Sequence, residues 1–210
     1  AAENATGHAP SYGADATTAR AVAAIRDVFE APQAEVMFVP TGIAANALSL
    51  ACLVKPWHRV FCSAVAHVDL DESGAVGLAS GGAEPAPIAA PDGRMTPGAL
   101  GARIAVELAE RRGAVSVTQA TECGTVYAPS AVAALSEVAR GHGMPLHMDG
   151  ARFANAVAAL GCPPAEATWR AGVDVLSLGG TKNGLMGAEA VVFFRPEFAA
   201  DARLRRQRMG

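Results

Sequence analysis

One lysine stands where its amine could do chemistry. Lys182 follows a short apolar run, Val173 to Leu178, and has Gly179-Gly180-Thr181 before it and Asn183-Gly184 after it. The sequence holds one other lysine, Lys55, and otherwise uses arginine for positive charge. We expect the run to be a buried strand with Lys182 near its end, because a shielded amine loses its proton easily and attacks carbonyl carbons. A partly exposed loop lysine is the alternative.

A carboxylate precedes this lysine by about the length of one strand–helix–strand unit. Asp149 follows a short strand-like run and begins the stretch Asp149-Gly150-Ala151-Arg152. Its spacing to Lys182 is that of one strand–helix–strand unit, roughly 30 residues, so both can end parallel strands of one sheet. A carboxylate beside a protonated pyridine nitrogen, with a lysine amine nearby, is what pyridoxal 5'-phosphate needs. The alternative for Asp149 is an N-cap of the following helix.

Three other positions extend this interpretation. Gly42 and Ile43 follow a strand and begin a helix, where free N–H groups attract phosphate. The alternative is an ordinary strand-to-helix turn, which has the same sequence pattern. Arg152 could bind a substrate carboxylate through two N–H groups of its guanidinium, and the alternative is a charged residue on the surface of a helix. His67 can stack on a cofactor ring or move a proton, or is structural. Each of these residues is weak evidence alone, but their order along the chain is more specific for a pyridoxal phosphate site.

Composition bounds the class of protein. The chain has 210 residues, 51% hydrophobic and 18% charged, which predicts one substantial folded core. A net charge of -3 gives no electrostatic case for binding nucleic acid or an anionic membrane. The four cysteines form no CxxC pair, so we expect no metal site and no disulfides, and a reducing cytoplasm. The sequence shows neither a signal peptide nor a bilayer-spanning run.

Helical and strand patterns alternate along the chain. This predicts an α/β three-layer sandwich with a mostly parallel central sheet, whose strand ends would hold the ligand. Strands are predicted over 35–39, 59–63, 114–119, 145–148, 173–178 and 189–194, helices over 17–30, 43–53, 97–111, 130–142 and 151–160, and an irregular stretch over 85–97.

With these residues in view, the chain resembles the low-specificity threonine aldolases of the aspartate-aminotransferase-like superfamily. The resemblance covers nearly the whole chain, and the segment around Asp149 and Arg152 is its most specific part. The matching stretches are Phe38–Asn46, Ala66–His67, Asp71–Gly74, Thr118–Glu122, His147–Ala156, Gly180–Gly184 and Tyr12–Asp15.

The resemblance implies a pyridoxal phosphate-dependent large domain and a role for each cofactor-binding residue. Lys182 would hold the cofactor covalently, and Asp149 would pair with its ring nitrogen. His67 would stack on the ring and assist proton transfer. Gly42 and Ile43 would donate backbone N–H groups to the phosphate.

The resemblance also implies an activity. Arg152 would bind the substrate carboxylate, with Tyr12 near this site or that of a dimer mate. The enzyme would be a cytoplasmic lyase of amino acid metabolism, a homodimer or homotetramer that cleaves L-threonine and L-allo-threonine to glycine and an aldehyde. The sequence does not fix the base, and our hypothesis is that His67, or a water that it holds, takes the β-hydroxyl proton.

Two departures from the family pattern and a domain division follow. Ile43 stands where many relatives have threonine, and Glu122 lies near where some have a second histidine. We expect an N-terminal segment with a truncated start over 1–15, the cofactor-binding large domain over 16–195, and over 196–210 the start of a connection to a missing C-terminal small domain. The alternatives are a β-eliminating lyase or aminotransferase on the same fold, or a truncated non-catalytic fragment.

Overall fold

A computed structural model describes residues 7–210, so residues 1–6 of the N-terminal segment predicted over 1–15 lie outside the described part. The strands are β1 (Glu35–Val39), β2 (Arg59–Ser63), β3 (Glu84–Ile88), β4 (Arg112–Thr118), β5 (Leu146–Gly150), β6 (Val175–Gly179) and β7 (Glu189–Phe193). The helices are α1 (Ala16–Val28), α2 (Gly42–Leu53), α3 (His67–Leu70), α4 (Ala75–Ser80), α5 (Pro97–Ala105), α6 (Pro129–Gly141), α7 (Phe153–Leu160) and α8 (Ala202–Arg208). Within residues 7–210 no helix is long and apolar enough to cross a membrane.

The strands form one sheet in the order β1-β7-β6-β5-β4-β2-β3. Strands β6, β5, β4, β2 and β3 pair in parallel, whereas β7 runs antiparallel to both β6 and β1. The carboxyl ends of β1, β4, β5 and β6 therefore share one edge with the first residue of β7. The register across this edge sets Val39 and Gly179 opposite Glu189.

Helices cover both faces of the sheet. Along β5, Leu146 and Met148 face a large apolar cluster that also contains residues of α5, α6 and α7. The alternate residues His147 and Asp149 point to the opposite face, where α2 packs. The predicted three-layer sandwich with a mostly parallel sheet is confirmed, and the alternation of β5 delivers polar groups to the α2 side.

Two predicted elements differ from the structure. The stretch expected to be irregular, 85–97, contains all of β3 except its first residue. Pro85 and Pro87 are tolerated there because β3 is an edge strand of the sheet. The helix predicted over 97–111 ends at Ala105. Val106 and Leu108 continue its apolar pattern but are 78% and 65% exposed, so no core holds that extension in place.

Candidate active site at the carboxyl edge of the sheet

A cavity of about 300 Å³ opens at the carboxyl edge, between the start of α2 and the ends of β5 and β6. Six of the seven site residues predicted from the sequence line it: Gly42, Ile43, His67, Asp149, Arg152 and Lys182. They come from four separate segments of the chain, so the topology rather than sequence proximity brings them together.

The first turn of α2 forms one wall. Thr41 caps the helix with its side-chain oxygen, which accepts a hydrogen bond from the Ala44 N–H at 3.1 Å. The N–H groups of Gly42 and Ile43 have no hydrogen-bond partner among residues 7–210. Both residues line the cavity, so their N–H groups and the positive end of the helix dipole form a place for an anion.

Asp149 lies inside β5 and is 5% exposed. Its Oδ1 accepts from the Ala151 N–H at 3.0 Å, and its Oδ2 accepts from Nδ2 of Asn46 at 2.8 Å. The N-cap alternative is wrong, because α7 begins at Phe153 and its N-cap position is Arg152. The two bonds orient the carboxylate and leave its oxygens able to accept a further bond from a cationic N–H in the cavity.

The same amide nitrogen reaches a second carboxylate. Asn46 Nδ2 donates to Oε1 of Glu72 at 2.7 Å, and Nδ1 of His67 lies 2.9 Å from that oxygen. The Glu72 side chain is fully buried, and its desolvation raises the pKa of Glu72. When Glu72 is ionised, its oxygens only accept, so a neutral His67 then carries its proton on Nδ1 and leaves Nε2 as a proton acceptor.

Glu122 holds the backbone of His67. Its Oε1 accepts from the His67 N–H at 2.9 Å and from the Thr118 hydroxyl at 3.0 Å. This carboxylate therefore fixes the start of α3. Within the described range, buried oxygens of Asn46, Glu72 and Glu122 have no hydrogen-bond partner. Of these three residues, only Asn46 lines the cavity.

Lys182 is exposed, so the expectation that it is buried is wrong. Strand β6 ends at Gly179, and a 3₁₀ turn over Thr181–Asn183 carries the lysine beyond the strand to the rim of the cavity. A Cβ atom on Gly179 would collide with the backbone of Ala151, so the chain passes too close to β5 for a side chain there. The amine makes no hydrogen bond or ion pair within residues 7–210.

Arg152 and Tyr12, the two residues predicted to bind substrate, lie apart. Arg152 is half-buried, lines the cavity and has no ion-pair partner among the residues that the structure describes. Tyr12 is 79% exposed and lines a different cavity beside β1 and α8, where its carbonyl accepts from Arg206 at 3.4 Å. Within one chain, therefore, Tyr12 does not join the other six residues.

A second buried polar chain lies behind Asp149. His147 contacts the Ser116 hydroxyl through Nδ1 and the Ser177 hydroxyl through Nε2, both at 2.9 Å, and Ser177 lies 3.2 Å from Ser49. Burial lowers the pKa of His147 to about 4, so it is neutral at pH 7. This layer fills the space between α2 and the sheet with satisfied polar groups.

Three residues of the site were given no role by the sequence reasoning: Asn46, Glu72 and Glu189. Asn46 and Ser49 are polar positions one turn apart in an otherwise apolar helix, and this was an available signal. Glu189 is a charged residue at the start of an apolar strand, and this was a second such signal. Glu72 follows α3 in a polar stretch that gives no hint of its burial.

The donor and acceptor set fits a pyridoxal phosphate group. The free N–H groups at the start of α2 suit a phosphate, and the acceptor Asp149 suits a protonated ring nitrogen. A lysine amine and a histidine line the same cavity. Across residues 7–210 no cluster of three or more histidine, cysteine or acidic side chains could hold a metal ion.

Comparisons with known proteins agree with this set of groups. A family model described as beta-eliminating lyase matches residues 1–210. A low specificity L-threonine aldolase of Pseudomonas aeruginosa is 46% identical over 204 residues, which is 95% of this chain and 58% of the relative. One from another Pseudomonas species is 44% identical over 199 residues, covering 93% of this chain and 57% of the relative.

A solved structure is also similar. The threonine aldolase of Leishmania major superposes with a TM-score of 0.88 at 28% identity, over 99% of this chain and 60% of that one. The chain thus spans less than two thirds of the length of these relatives.

Proposed function

The chain belongs to the beta-eliminating lyase family, and from this premise we propose that it is a pyridoxal phosphate-dependent aldolase. It cleaves L-threonine, L-allo-threonine and other β-hydroxy-α-amino acids to glycine and an aldehyde. The observation that carries this proposal is that Lys182, Asp149 and the free N–H groups of α2 line one cavity. The curated relatives named as low specificity L-threonine aldolases support the choice of substrate.

The family is pyridoxal phosphate-dependent, and five residues of this chain would hold or contact the group. The N–H groups of Gly42 and Ile43 bind its phosphate, the Asp149 carboxylate accepts from its ring nitrogen, and Lys182 holds it through the ε-amine. His67 covers the ring, and Asn46 keeps Asp149 oriented. When bound, the cofactor supplies an electron sink for the bond that breaks at the substrate α-carbon.

The remaining groups bind and deprotonate the substrate. Arg152, whose guanidinium has no ion-pair partner in residues 7–210, binds the α-carboxylate in a two-point contact that fixes the β-hydroxyl. His67 accepts the β-hydroxyl proton at Nε2, directly or through a water, while Glu72 stabilises the resulting imidazolium through Nδ1. Exchange of His67 for phenylalanine therefore lowers turnover, and an unchanged rate would remove this role.

A β-eliminating lyase is the second candidate, because the matching family model carries that description. The products separate the two. Incubation of the full-length holoenzyme with L-threonine yields glycine and acetaldehyde if it is an aldolase, and a 2-oxo acid with ammonia if it eliminates. A Lys182→Ala variant is the control for background reaction. Release of a 2-oxo acid without glycine would overturn the aldolase proposal.

We also propose a setting and an assembly. The cysteines of the described residues are free, which suits a reducing cytoplasm. Leu78, Met186 and Leu204 are 88%, 100% and 63% exposed, and such apolar groups suit a homodimer or homotetramer. The cofactor-binding domain is assigned to 16–195. Light scattering of the purified protein tests the assembly, and a monomer mass at micromolar concentration would contradict it.

A further inference from the structure

Glu189 touches the turn that carries Lys182. Its Oε2 accepts from the Gly180 N–H at 3.1 Å, and its Oε1 accepts from the Thr181 N–H at 3.4 Å. These are the two residues immediately before Lys182. Glu189 is 7% exposed and lines the same cavity as the lysine.

The topology explains how a carboxylate comes to lie here. Because β7 runs antiparallel to its neighbours, its first residue lies at the edge where β6 ends, and the register pairs Glu189 with Gly179. The other residues of β7 are Ala190, Val191, Val192 and Phe193, all buried. A nearly buried carboxylate is costly unless donors surround it. Within residues 7–210 Glu189 has no ion-pair partner, and these two N–H groups are its hydrogen-bond donors.

The other side of the turn is also fixed. Asn183 Nδ2 donates to the Gly179 carbonyl at 2.8 Å and to the Ala151 carbonyl at 3.2 Å. The backbone is therefore held before and after Lys182, while the lysine side chain itself is exposed. A reactive amine needs this combination, since its Cα must be placed accurately and its chain must remain free to move.

We propose that Glu189 is the positioning residue of Lys182. It anchors the Gly180–Thr181 backbone through both carboxylate oxygens, and it lines the cavity that Lys182 also lines. The inference rests on the proposed function, in which Lys182 holds the cofactor. It adds that the reactivity of the lysine depends on a carboxylate that belongs to a different strand.

Two variants and a matched control test this role. Glu189→Ala removes both acceptors, whereas Glu189→Gln keeps one oxygen and so restores part of the effect. Asp174→Asn is the control, because Asp174 is another buried carboxylate that accepts a backbone N–H, that of Leu146 at 2.8 Å. It lies just before β6, at the strand's opposite end, and reports any general loss of stability.

The first readout needs no cofactor. Hydrogen exchange of the Gly180 and Thr181 amides, measured by NMR, becomes about tenfold faster or more in Glu189→Ala, since charge-assisted bonds protect them. Acylation by a limiting amine reagent, followed by mass spectrometry, compares Lys182 with Lys55 as internal reference. Lys182 gains reactivity relative to Lys55, because the turn that carries it is no longer anchored at Gly180 and Thr181. Asp174→Asn leaves both measurements as in the wild type.

The second readout uses pyridoxal phosphate and borohydride. The rate at which the cofactor is fixed on Lys182 falls roughly tenfold or more in Glu189→Ala, and Glu189→Gln lies between that variant and the wild type. Exchange and relative acylation unchanged from the wild type would overturn the inference, as would faster exchange with unchanged acylation and fixation. If the wild type itself fixes no cofactor, the proposed function fails, and the acylation ratio still decides the role of Glu189.

Discussion

Asn46 and Asp149, 103 positions apart in the chain, are joined by a hydrogen bond of 2.8 Å from the amide Nδ2 to the carboxylate Oδ2. The same nitrogen donates to Glu72 at 2.7 Å, and Glu72 contacts His67 at 2.9 Å. A single amide thus links the carboxylate assigned to the cofactor ring with the carboxylate that orients the histidine. The two halves of the site are held as one network.

Exchange of Asn46 for alanine removes the amide donor shared by Asp149 and Glu72. We expect the free energy of unfolding to fall by about 3 kcal/mol, because buried charges lose hydrogen bonds that desolvation made necessary. The matched control is Ser49→Ala, one turn along α2, which loses a neutral contact at 3.2 Å and should cost about 1 kcal/mol. Urea unfolding at pH 7 measures both, and equal losses would contradict the network.

Glu72→Gln should separate stability from activity. Burial raises the pKa of Glu72 above its ordinary 4.5, so its contribution to stability is present below that pH and is lost as pH rises through the folded pKa. Glutamine does not titrate, so the variant gains stability relative to the wild type as pH rises above 4.5. Turnover falls about 100-fold, because the His67 imidazolium loses its anionic partner.

Unfolding curves across that pH range and steady-state assays test the Glu72 prediction together. Glu166→Gln is the control, since Glu166 is an exposed carboxylate paired with Arg170. A Glu72→Gln variant with full turnover would show that His67 works without this carboxylate.

Much of the fold and several residues of the site could be predicted from the sequence, whereas other features could not. Strand periodicity predicted β1 and β2 to the residue, and the resemblance to threonine aldolases is confirmed by the comparisons. Periodicity could not predict Lys182's exposure, which depends on a turn beyond the strand. Asn46 and Glu189 stand out as polar residues in apolar elements, but spacing could not reveal their partners, which are set by the crossing of α2 over β5 and the reversed direction of β7.

Because His147 is buried, we expect the free energy of unfolding to fall in acid. Burial lowers the pKa of His147 from 6.5 to about 4. Between these two pH values the unfolded chain is protonated at His147, whereas the folded chain is not. Its stabilisation is complete above pH 6.5 and is lost as pH falls toward 4, by about 3 kcal/mol. Exchange of His147 for glutamine removes this slope, whereas exchange of the exposed His142 does not. Unfolding curves at successive pH values test this, and identical slopes for both variants would contradict it.

Arg152→Lys should affect substrate binding more than chemistry. A lysine keeps the positive charge but cannot form the two-point contact with a carboxylate, so we expect KM for L-threonine to rise about 30-fold with a smaller change in kcat. Arg170→Lys is the control, because Arg170 pairs with Glu30 and Glu166 on the surface. A KM equal to that of the wild type would assign the carboxylate to another group.

The most direct test of the central claim locates the cofactor on the chain. Protein incubated with pyridoxal phosphate and reduced with borohydride is digested, and the two lysine-containing peptides are compared by mass spectrometry. We predict that the reduced cofactor is found on Lys182, that Lys55 stays unmodified, and that Lys182→Ala abolishes the label. Equal labelling of Lys55 and Lys182, or labelling that persists in Lys182→Ala, would contradict it.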